Sequence, residues 1–148
     1  MMDSILVVCV GNICRSPVAE ALLKKQFPDK SIWSAGLAAL VGKPADPLAQ
    51  AVATQHGLDL SEHRAQQMTS WMCTRADLIL VMESAHKREL EQQQPMSRGK
   101  IHCLGDLGPS NLFEIADPYR QAVQAFEAAH AAIDRGVRYW SDRIRLLS

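Results

Sequence analysis

Aromatic residues are scarce in this chain of 148 residues, in which Phe, Trp and Tyr together make up 5%. Proteins that bind single-stranded nucleic acids use such rings as stacking platforms, and few are available here. An excess of charge of either sign is also missing, because 16 Lys and Arg balance 16 Asp and Glu. This balance argues against a general nucleic-acid binder and against a polybasic membrane anchor. We therefore expect no nucleic-acid partner.

Long apolar runs are missing as well, since nothing approaches the roughly 20 residues of a membrane-spanning helix. The apolar run at residues 5–10 is too short for a secretory signal, and no basic segment precedes it. We expect no membrane insertion and a location in the cytoplasm.

Metal-binding patterns are absent: the sequence has no Cys-x-x-Cys, His-x3-His or HExxH. We expect neither a metal nor another cofactor. In the reducing cytoplasm the four cysteines would be thiols. Cys73 and Cys103 are interpreted as packing residues, and so are Trp71 and Met72. The question is then whether Cys9 or Cys14 is a nucleophile.

Apolar runs alternate with helical patterns along the chain. The runs predict strands at residues 5–8, 31–35, 78–82 and 100–104. Helices are predicted at residues 17–27, 48–55, 69–76 and 84–94, with a last helix at 119–147 that is broken near Gly136. The first strand shows no polar alternation, which is typical of a strand buried on both faces. The alternation predicts one α/β domain over residues 1–148 with a parallel sheet.

The loop at residues 9–16, after the first strand, has the spacing Cys-x5-Arg-Ser and leads into Pro17. Backbone N–H groups in such a loop can turn inward and bind an anion together with the helix dipole. Gly11 allows close approach of a phosphate, and Arg15 offers paired donors to two of its oxygens. The positive electrostatic potential of these N–H groups, the helix dipole and Arg15 would also stabilise Cys9 as a thiolate, the nucleophilic form of cysteine.

A structural interpretation of the same loop is that Cys9 packs as a small apolar residue and Arg15 is a surface charge. The glycine within the loop and the Ser-Pro pair entering a helix favour the anion site. Asp117, in the loop before the last helix, is the candidate general acid. Taken alone it would be interpreted as a helix N-cap, because Asp caps helices well and Pro118 suits a first turn.

The segment Cys9-Val-Gly-Asn-Ile-Cys-Arg-Ser-Pro-Val-Ala-Glu20 resembles the signature of the low-molecular-weight protein tyrosine phosphatases. The resemblance continues at residues 33–36, at His63 and at Asp117-Pro118-Tyr119, and the chain length matches too. It implies a three-layer α/β sandwich with helices on both faces of a four-stranded parallel sheet of order 2-1-3-4. The phosphate-binding loop would follow the first strand.

The resemblance also implies a metal-independent reaction in two steps. Cys9 would attack phosphorus and form a phosphocysteine, while Arg15 holds the phosphate oxygens. Asp117 would protonate the leaving tyrosine oxygen and then activate water. The phosphate or another oxyanion would be held by the loop residues Val10, Gly11, Asn12, Ile13, Cys14 and Ser16.

Supporting roles follow from the same resemblance. Asn12, Ser16, Ser34 and His63 match positions of a hydrogen-bond network that shapes the loop, in which Ser16 also donates to the Cys9 sulfur. Cys14 would form a reversible disulfide with Cys9 and protect it from over-oxidation. A buried structural thiol is the alternative for Cys14.

The mouth of the pocket departs from many eukaryotic relatives. Leu40 and Tyr119 are expected to flank the substrate ring, but Leu40 stands where a bulkier ring can occur. Arg120 stands where a second aromatic residue is frequent, and Gln66 replaces a frequent arginine. We therefore expect a less aromatic mouth.

Residues 40–43 and 98–100 look most like bacterial members of the family linked to capsule or exopolysaccharide export. By resemblance the expected partner is a phosphotyrosine protein, the tyrosine-rich tail of a bacterial autokinase. A monomer is expected by default. An arsenate reductase on the same fold is disfavoured because residues 82–95 contain no cysteine. A non-catalytic phosphate-binding module is disfavoured because Cys9, Arg15 and Asp117 are all present.

Overall fold

The computed structural model describes residues 1–148. The strands are β1 (Ser4–Cys9), β2 (Ser31–Gly36), β3 (Leu78–Val81) and β4 (Ile101–Cys103). The α-helices are α1 (Ser16–Gln26), α2 (Pro47–Gln55), α3 (Ser70–Arg75), α4 (Ser84–Gln93) and α5 (Val123–Leu146). A short 3-10 helix (Pro95–Lys100) leads into β4. None of the helices combines the length and the apolar character that crossing a bilayer requires.

The four strands form one sheet in the order β2-β1-β3-β4, and every neighbouring pair is parallel. β1 is therefore an inner strand, and its residues 5–8 are completely buried. This burial on both faces explains why the first apolar run carries no polar alternation. The predicted parallel sheet and its strand order are confirmed.

Alternate residues of β1 point into two separate cores. Ile5 and Val7 pack with α1, α2 and α5 on one face of the sheet. Leu6 and Val8 pack with α3 and α4 on the other face. The result is a three-layer sandwich in which the loop after β1 lies at the carboxyl ends of the strands, where ligands bind in such sheets.

The last helix differs from its prediction at two points. It begins at Val123 instead of residue 119, because residues 117–121 form a turn in which Gln121 N–H donates to the Pro118 carbonyl at 2.9 Å. It also runs unbroken through Gly136, so the predicted break is wrong. A Cβ at Gly136 would lie 2.7 Å from the Leu104 carbonyl oxygen, and glycine thus lets α5 pack closely against the chain after β4.

Trp71 was predicted to be a core residue, and this prediction is wrong. The residue is 65% exposed, and the Arg75 guanidinium carbon lies 5.7 Å from its ring centroid. Met72 is partly buried and packs against the α3 side of the core, as expected. Cys73 and Cys103 are buried packing residues, as predicted.

Gly136→Ala should lower the stability of the protein. Alanine in place of glycine inside a helix normally stabilises it by about 1 kcal/mol. Here the added methyl group meets the Leu104 backbone, and we expect a net loss of about 1–3 kcal/mol in the free energy of unfolding. Urea unfolding measures the difference. Gly99→Ala, with open space around its Cβ, is the control and should stay within about 0.5 kcal/mol of the parent protein.

Three histidines, His86, His102 and His130, are buried or half-buried. His130 of α5 stacks on His56, which follows α2, with ring centroids 4.1 Å apart. Burial and the neighbouring His56 lower the pKa of His130, against a smaller opposing effect of Asp134. Burial also lowers the pKa of His86 and of His102.

Acid should therefore destabilise the fold. In the unfolded chain histidine titrates near pH 6.5, and these three bind a proton more weakly when folded, so protons favour the unfolded state. Their contribution to stability is complete above about pH 6.5 and is lost as the pH falls below it. Urea unfolding between pH 7 and pH 5 should show the decline, and His130→Phe should reduce its slope. Equal slopes for the two proteins would exclude His130 as a contributor.

Candidate active site

A cavity of about 140 Å³ opens beside the loop that joins β1 to α1. It brings together all three predicted catalytic residues and both predicted mouth residues. The side chains and backbone that line it belong to Cys9, Val10, Gly11, Ile13, Cys14, Arg15, Ala38, Leu40, Asp117 and Tyr119. Of the loop residues predicted to bind phosphate, Asn12 and Ser16 are absent from this lining. Their side chains instead make hydrogen bonds within the loop.

Cys9 is the last residue of β1 and is only 2% exposed, so it forms the floor of the cavity. Its Sγ lies 2.9 Å from the hydroxyl of Ser16, the first residue of α1. That hydroxyl accepts a hydrogen bond from Asn12 Nδ2 at 2.7 Å and has one proton of its own to donate. A Cys9 thiolate can only accept, so in that state the Ser16 hydroxyl is the donor to the sulfur. A donated hydrogen bond and the start of a helix both stabilise a thiolate.

Asn12 holds the loop in shape. Its backbone is left-handed, with φ of 60°, a conformation that asparagine tolerates better than most residues. Its side-chain amide donates to Ser16 Oγ and, at 2.9 Å, to Ser34 Oγ, while its Oδ1 accepts from Gln66 N–H. Its backbone carbonyl accepts from His63 Nε2 at 2.6 Å. The four predicted loop-support residues thus form one connected network.

Two further members of this network were missed by the sequence reasoning. Glu20 of α1 accepts a hydrogen bond from the Ser34 hydroxyl, and Gln66 Nε2 donates to the Ser34 carbonyl at 2.9 Å. Glu20 closes the signature segment and lies four residues after Ser16, hence on the same face of α1. The sequence spacing could therefore have indicated that Glu20 lies near the network. No feature of the neighbouring sequence indicates that Gln66 contacts Ser34.

Arg15 is 1% exposed, so its interpretation as a surface charge is wrong. Its Nη1 donates to Glu83 Oε2 at 2.6 Å and to the Ile115 carbonyl at 2.8 Å. Its Nη2 lies 3.6 Å from Asp117 Oδ2. His86 Nε2 lies 3.5 Å from the same Glu83 oxygen, behind the ion pair. These contacts hold the guanidinium in the cavity wall.

Glu83 is a further residue that the sequence reasoning missed. It follows β3 with one residue between, and β3 is the neighbour of β1 in the sheet. The carboxyl ends of adjacent parallel strands meet at one edge of the sheet. The position of Glu83 after a predicted strand could therefore have placed it near the loop that follows β1. A carboxylate here balances the charge of an arginine that has been removed from water.

Asp117 lies at the edge of the cavity with 45% of its side chain exposed. It does not cap α5, because Ala122 precedes that helix, so the N-cap interpretation is wrong. Its Oδ1 instead accepts from Tyr119 N–H at 3.1 Å, and Gln121 Nε2 donates to its backbone carbonyl at 2.7 Å. The carboxyl group is thereby fixed beside the anion site while it stays open to water and substrate.

The mouth of the cavity is apolar. Val10, Leu40 and Tyr119 are 36%, 41% and 38% exposed and stand around the entrance. Leu40 is attached to the loop through its N–H, which donates to the Gly11 carbonyl at 3.1 Å. An apolar rim above a floor of thiol and guanidinium suits a group that is aromatic at one end and anionic at the other.

Cys14 is a buried free thiol that also lines the cavity. Burial raises its pKa, and the nearby carboxylates of Asp46 and Asp117 raise it further. Cys14 is therefore a neutral thiol at neutral pH. Its reversible disulfide with Cys9 stays a prediction.

The family model described as low molecular weight phosphotyrosine protein phosphatase matches residues 4–146. The chain belongs to this family. The probable low molecular weight protein-tyrosine-phosphatase EpsP of Ralstonia solanacearum is 54% identical over 147 residues, 99% of each chain. The fold, the enzyme class of cysteine-dependent phosphatases and the branch of bacterial relatives predicted from the sequence are thus confirmed.

Solved structures of the family are closely similar. The tyrosine phosphatase Wzb of Escherichia coli K30, in complex with sulphate, has a TM-score of 0.92 at 42% identity and covers 97% of this chain and 99% of its own. Wzb of Vibrio vulnificus, in complex with benzylphosphonate, has a TM-score of 0.91 at 45% identity, with the same two coverages. Members of the family therefore bind tetrahedral oxyanions.

Glu83→Ala should weaken phosphatase activity by releasing the Arg15 guanidinium. Misplacement of a catalytic group by about 1 Å can reduce a rate on the order of 100-fold, and we expect a loss of roughly 10- to 100-fold in kcat/KM. Glu83→Gln keeps an acceptor for Arg15 and should recover most of the loss. Steady-state kinetics with p-nitrophenyl phosphate measures both variants. Activity of Glu83→Ala equal to the parent, or no recovery in Glu83→Gln, would contradict the positioning role.

Proposed function

We propose that this phosphatase hydrolyses phosphotyrosine in proteins, with Cys9 as nucleophile, Arg15 as the oxyanion-binding side chain and Asp117 as acid and base. The observation that carries the proposal is the cavity itself. It has a buried thiol at its floor, a guanidinium and a carboxyl group at its sides, and an apolar rim. In an aryl phosphate the phosphorus would face the thiol and the non-bridging oxygens would face the guanidinium. The bridging oxygen would then lie near the carboxyl group, and the ring would lie at the apolar rim.

The first step forms a bond between Cys9 Sγ and phosphorus and breaks the bond between phosphorus and the tyrosine oxygen. Backbone N–H groups of residues 10–15 and the Arg15 guanidinium hold the equatorial oxygens, where negative charge must be stabilised. Asp117, in its acid form, gives its proton to the departing oxygen, so that tyrosine leaves as a neutral phenol. The product on the enzyme is a phosphocysteine.

The second step hydrolyses this phosphocysteine. Asp117, now a carboxylate at the open edge of the cavity, takes a proton from a water molecule. The water oxygen forms a bond to phosphorus, and the bond from phosphorus to sulfur breaks. Cys9 leaves as a thiolate that the Ser16 hydroxyl stabilises at 2.9 Å, and inorganic phosphate is released.

Selection of phosphotyrosine over phosphoserine follows from the depth of the site. Cys9 is 2% exposed beneath a rim of Leu40 and Tyr119, which are 41% and 38% exposed. A phosphate on a phenyl ring can reach the floor while the peptide backbone stays outside the rim. A phosphate on the short serine side chain would need the backbone itself to enter.

The physiological substrate we propose is the phosphorylated tyrosine-rich tail of a bacterial tyrosine autokinase that controls exopolysaccharide or capsule production. The similarity to EpsP and Wzb proteins supports this choice. The four free thiols suit a reducing compartment, and we place the enzyme in the cytoplasm as a monomer. Incubation of such a kinase with active enzyme should reduce its phosphotyrosine content, and an unchanged content would contradict this substrate.

The catalytic roles are tested with matched phosphotyrosine and phosphoserine peptides in the presence of a chelator. We expect phosphate release from the tyrosine peptide alone. Cys9→Ser should abolish it, since the hydroxyl is a far weaker nucleophile. Asp117→Asn should reduce kcat on the order of 100- to 10,000-fold, because no proton reaches the leaving oxygen.

The leaving group provides a control for Asp117→Asn. An aryl phosphate whose phenol is acidic, such as p-nitrophenyl phosphate, depends less on protonation of its leaving oxygen. Asp117→Asn should therefore lose less activity on p-nitrophenyl phosphate than on the phosphotyrosine peptide. An equal loss on both substrates would contradict the acid role of Asp117. Release of phosphate from neither peptide by a folded, reduced enzyme would contradict the proposed function.

A further inference from the structure

Arg120 stands in an unusual backbone conformation at the mouth of the active site. With φ of 64°, it is one of two residues other than glycine in the left-handed region, and Asn12 is the other. A Cβ disfavours this region, and glycine or asparagine would adopt it more readily. An arginine at such a position is a reason to look for a contribution from its side chain.

The turn that carries Arg120 also carries the general acid. Tyr119 N–H donates to Asp117 Oδ1 at 3.1 Å, and Gln121 N–H donates to the Pro118 carbonyl at 2.9 Å. Gln121 Nε2 closes the turn on the Asp117 carbonyl at 2.7 Å. The place of Arg120 relative to the cavity is therefore set by the same hydrogen bonds that orient the acid.

The side chain of Arg120 lies against a rim residue. Its guanidinium carbon is 5.2 Å from the ring centroid of Tyr119, within cation–π distance. Tyr119 lines the cavity, whose charged lining residues are Arg15 and Asp117, and both act on the phosphate and its leaving oxygen. Arg120 is exposed, and none of the ion pairs in the protein includes it. Its charge is thus available to a substrate.

A phosphotyrosine that reaches Cys9 leaves its peptide backbone outside the rim, next to the outer side of Tyr119. The residues that flank the phosphotyrosine must cross this surface. Asp117, the acidic group of the same turn, is directed at Arg15, with 3.6 Å between Oδ2 and Nη2. Of the two charged side chains of this turn, Arg120 is the one that is not engaged in an ion pair, and its charge is positive.

We propose that Arg120 is a specificity-determining residue that favours phosphotyrosine flanked by acidic residues. This inference rests on the proposed phosphotyrosine phosphatase function. The interaction is between exposed charges, so its effect on kcat/KM should be modest and should weaken with salt.

The test compares two phosphotyrosine peptides that differ only in flanking Glu or Gln residues. At low ionic strength the parent enzyme should prefer the Glu peptide in kcat/KM by roughly three- to fivefold. Arg120→Asn and Arg120→Gly fit the left-handed backbone, so each removes the charge without new strain. In both variants the preference should fall to about one, and in the parent it should fall in 0.5 M NaCl, where the Debye length is roughly 4 Å.

Arg138→Gln is the charge-matched control. Arg138 lies on α5 with 78% of its side chain exposed, paired with Asp134, and this variant should keep the parental preference. The Gln peptide and p-nitrophenyl phosphate, which carry no acidic flank, should change less than twofold in the Arg120 variants.

Three results would overturn the inference. The parent enzyme could show no preference for the Glu peptide, or the Arg120 variants could retain the preference. All substrates could also lose activity equally in these variants, which would make Arg120 a positioning residue for Tyr119. Failure of the parent enzyme on both peptides would instead contradict the proposed function on which the inference depends.

Discussion

The hydrogen bonds of the Asn12 side chain determine the shape of the phosphate-binding loop. Both amide hydrogens are used, one on Ser16 and one on Ser34, and its Oδ1 accepts from the Gln66 backbone. Ser16 Oγ, which accepts from Asn12, also lies 2.9 Å from the Cys9 sulfur and is the donor when that sulfur is a thiolate. The proposed nucleophile therefore depends on an amide that does not line the cavity, and Asn12 holds it there with a left-handed backbone.

A second constraint is the burial of a positive charge. Arg15 is removed from water, and an unpaired guanidinium there would be strongly destabilising. Glu83 and the Ile115 carbonyl occupy one side of its guanidinium, and Nη2 extends toward Asp117 on the other. The contacts that make the burial tolerable also fix the orientation of the guanidinium in the cavity wall, as its proposed role in phosphate binding requires.

Much of the architecture could be predicted because its causes are local. Unbroken apolar runs identified the inner strands, and Gly11 with Ser-Pro at residues 16–17 identified a loop entering a helix. The predictions failed where packing overrides local preference. α5 continues through Gly136, where Leu104 leaves no space for a Cβ, so this glycine serves close packing and does not mark a break. Trp71 is exposed although its spacing fits a core position.

The sequence by itself determined the loop that carries Cys9, the class of chemistry and the alternation of strands and helices, since each of these depends on residues that are close together in the chain. Only the tertiary structure decided what surrounds that loop. Glu83 lies 68 positions from Arg15 in the chain, and the Gln66 backbone lies 54 positions from the Asn12 side chain that binds it. Glu83 meets Arg15 because adjacent parallel strands place their carboxyl ends side by side. Gln66 reaches Asn12 from a loop whose next residue, Gln67, pairs with Gly36 at the end of β2. Both placements depend on the packing of residues that are far apart in the chain.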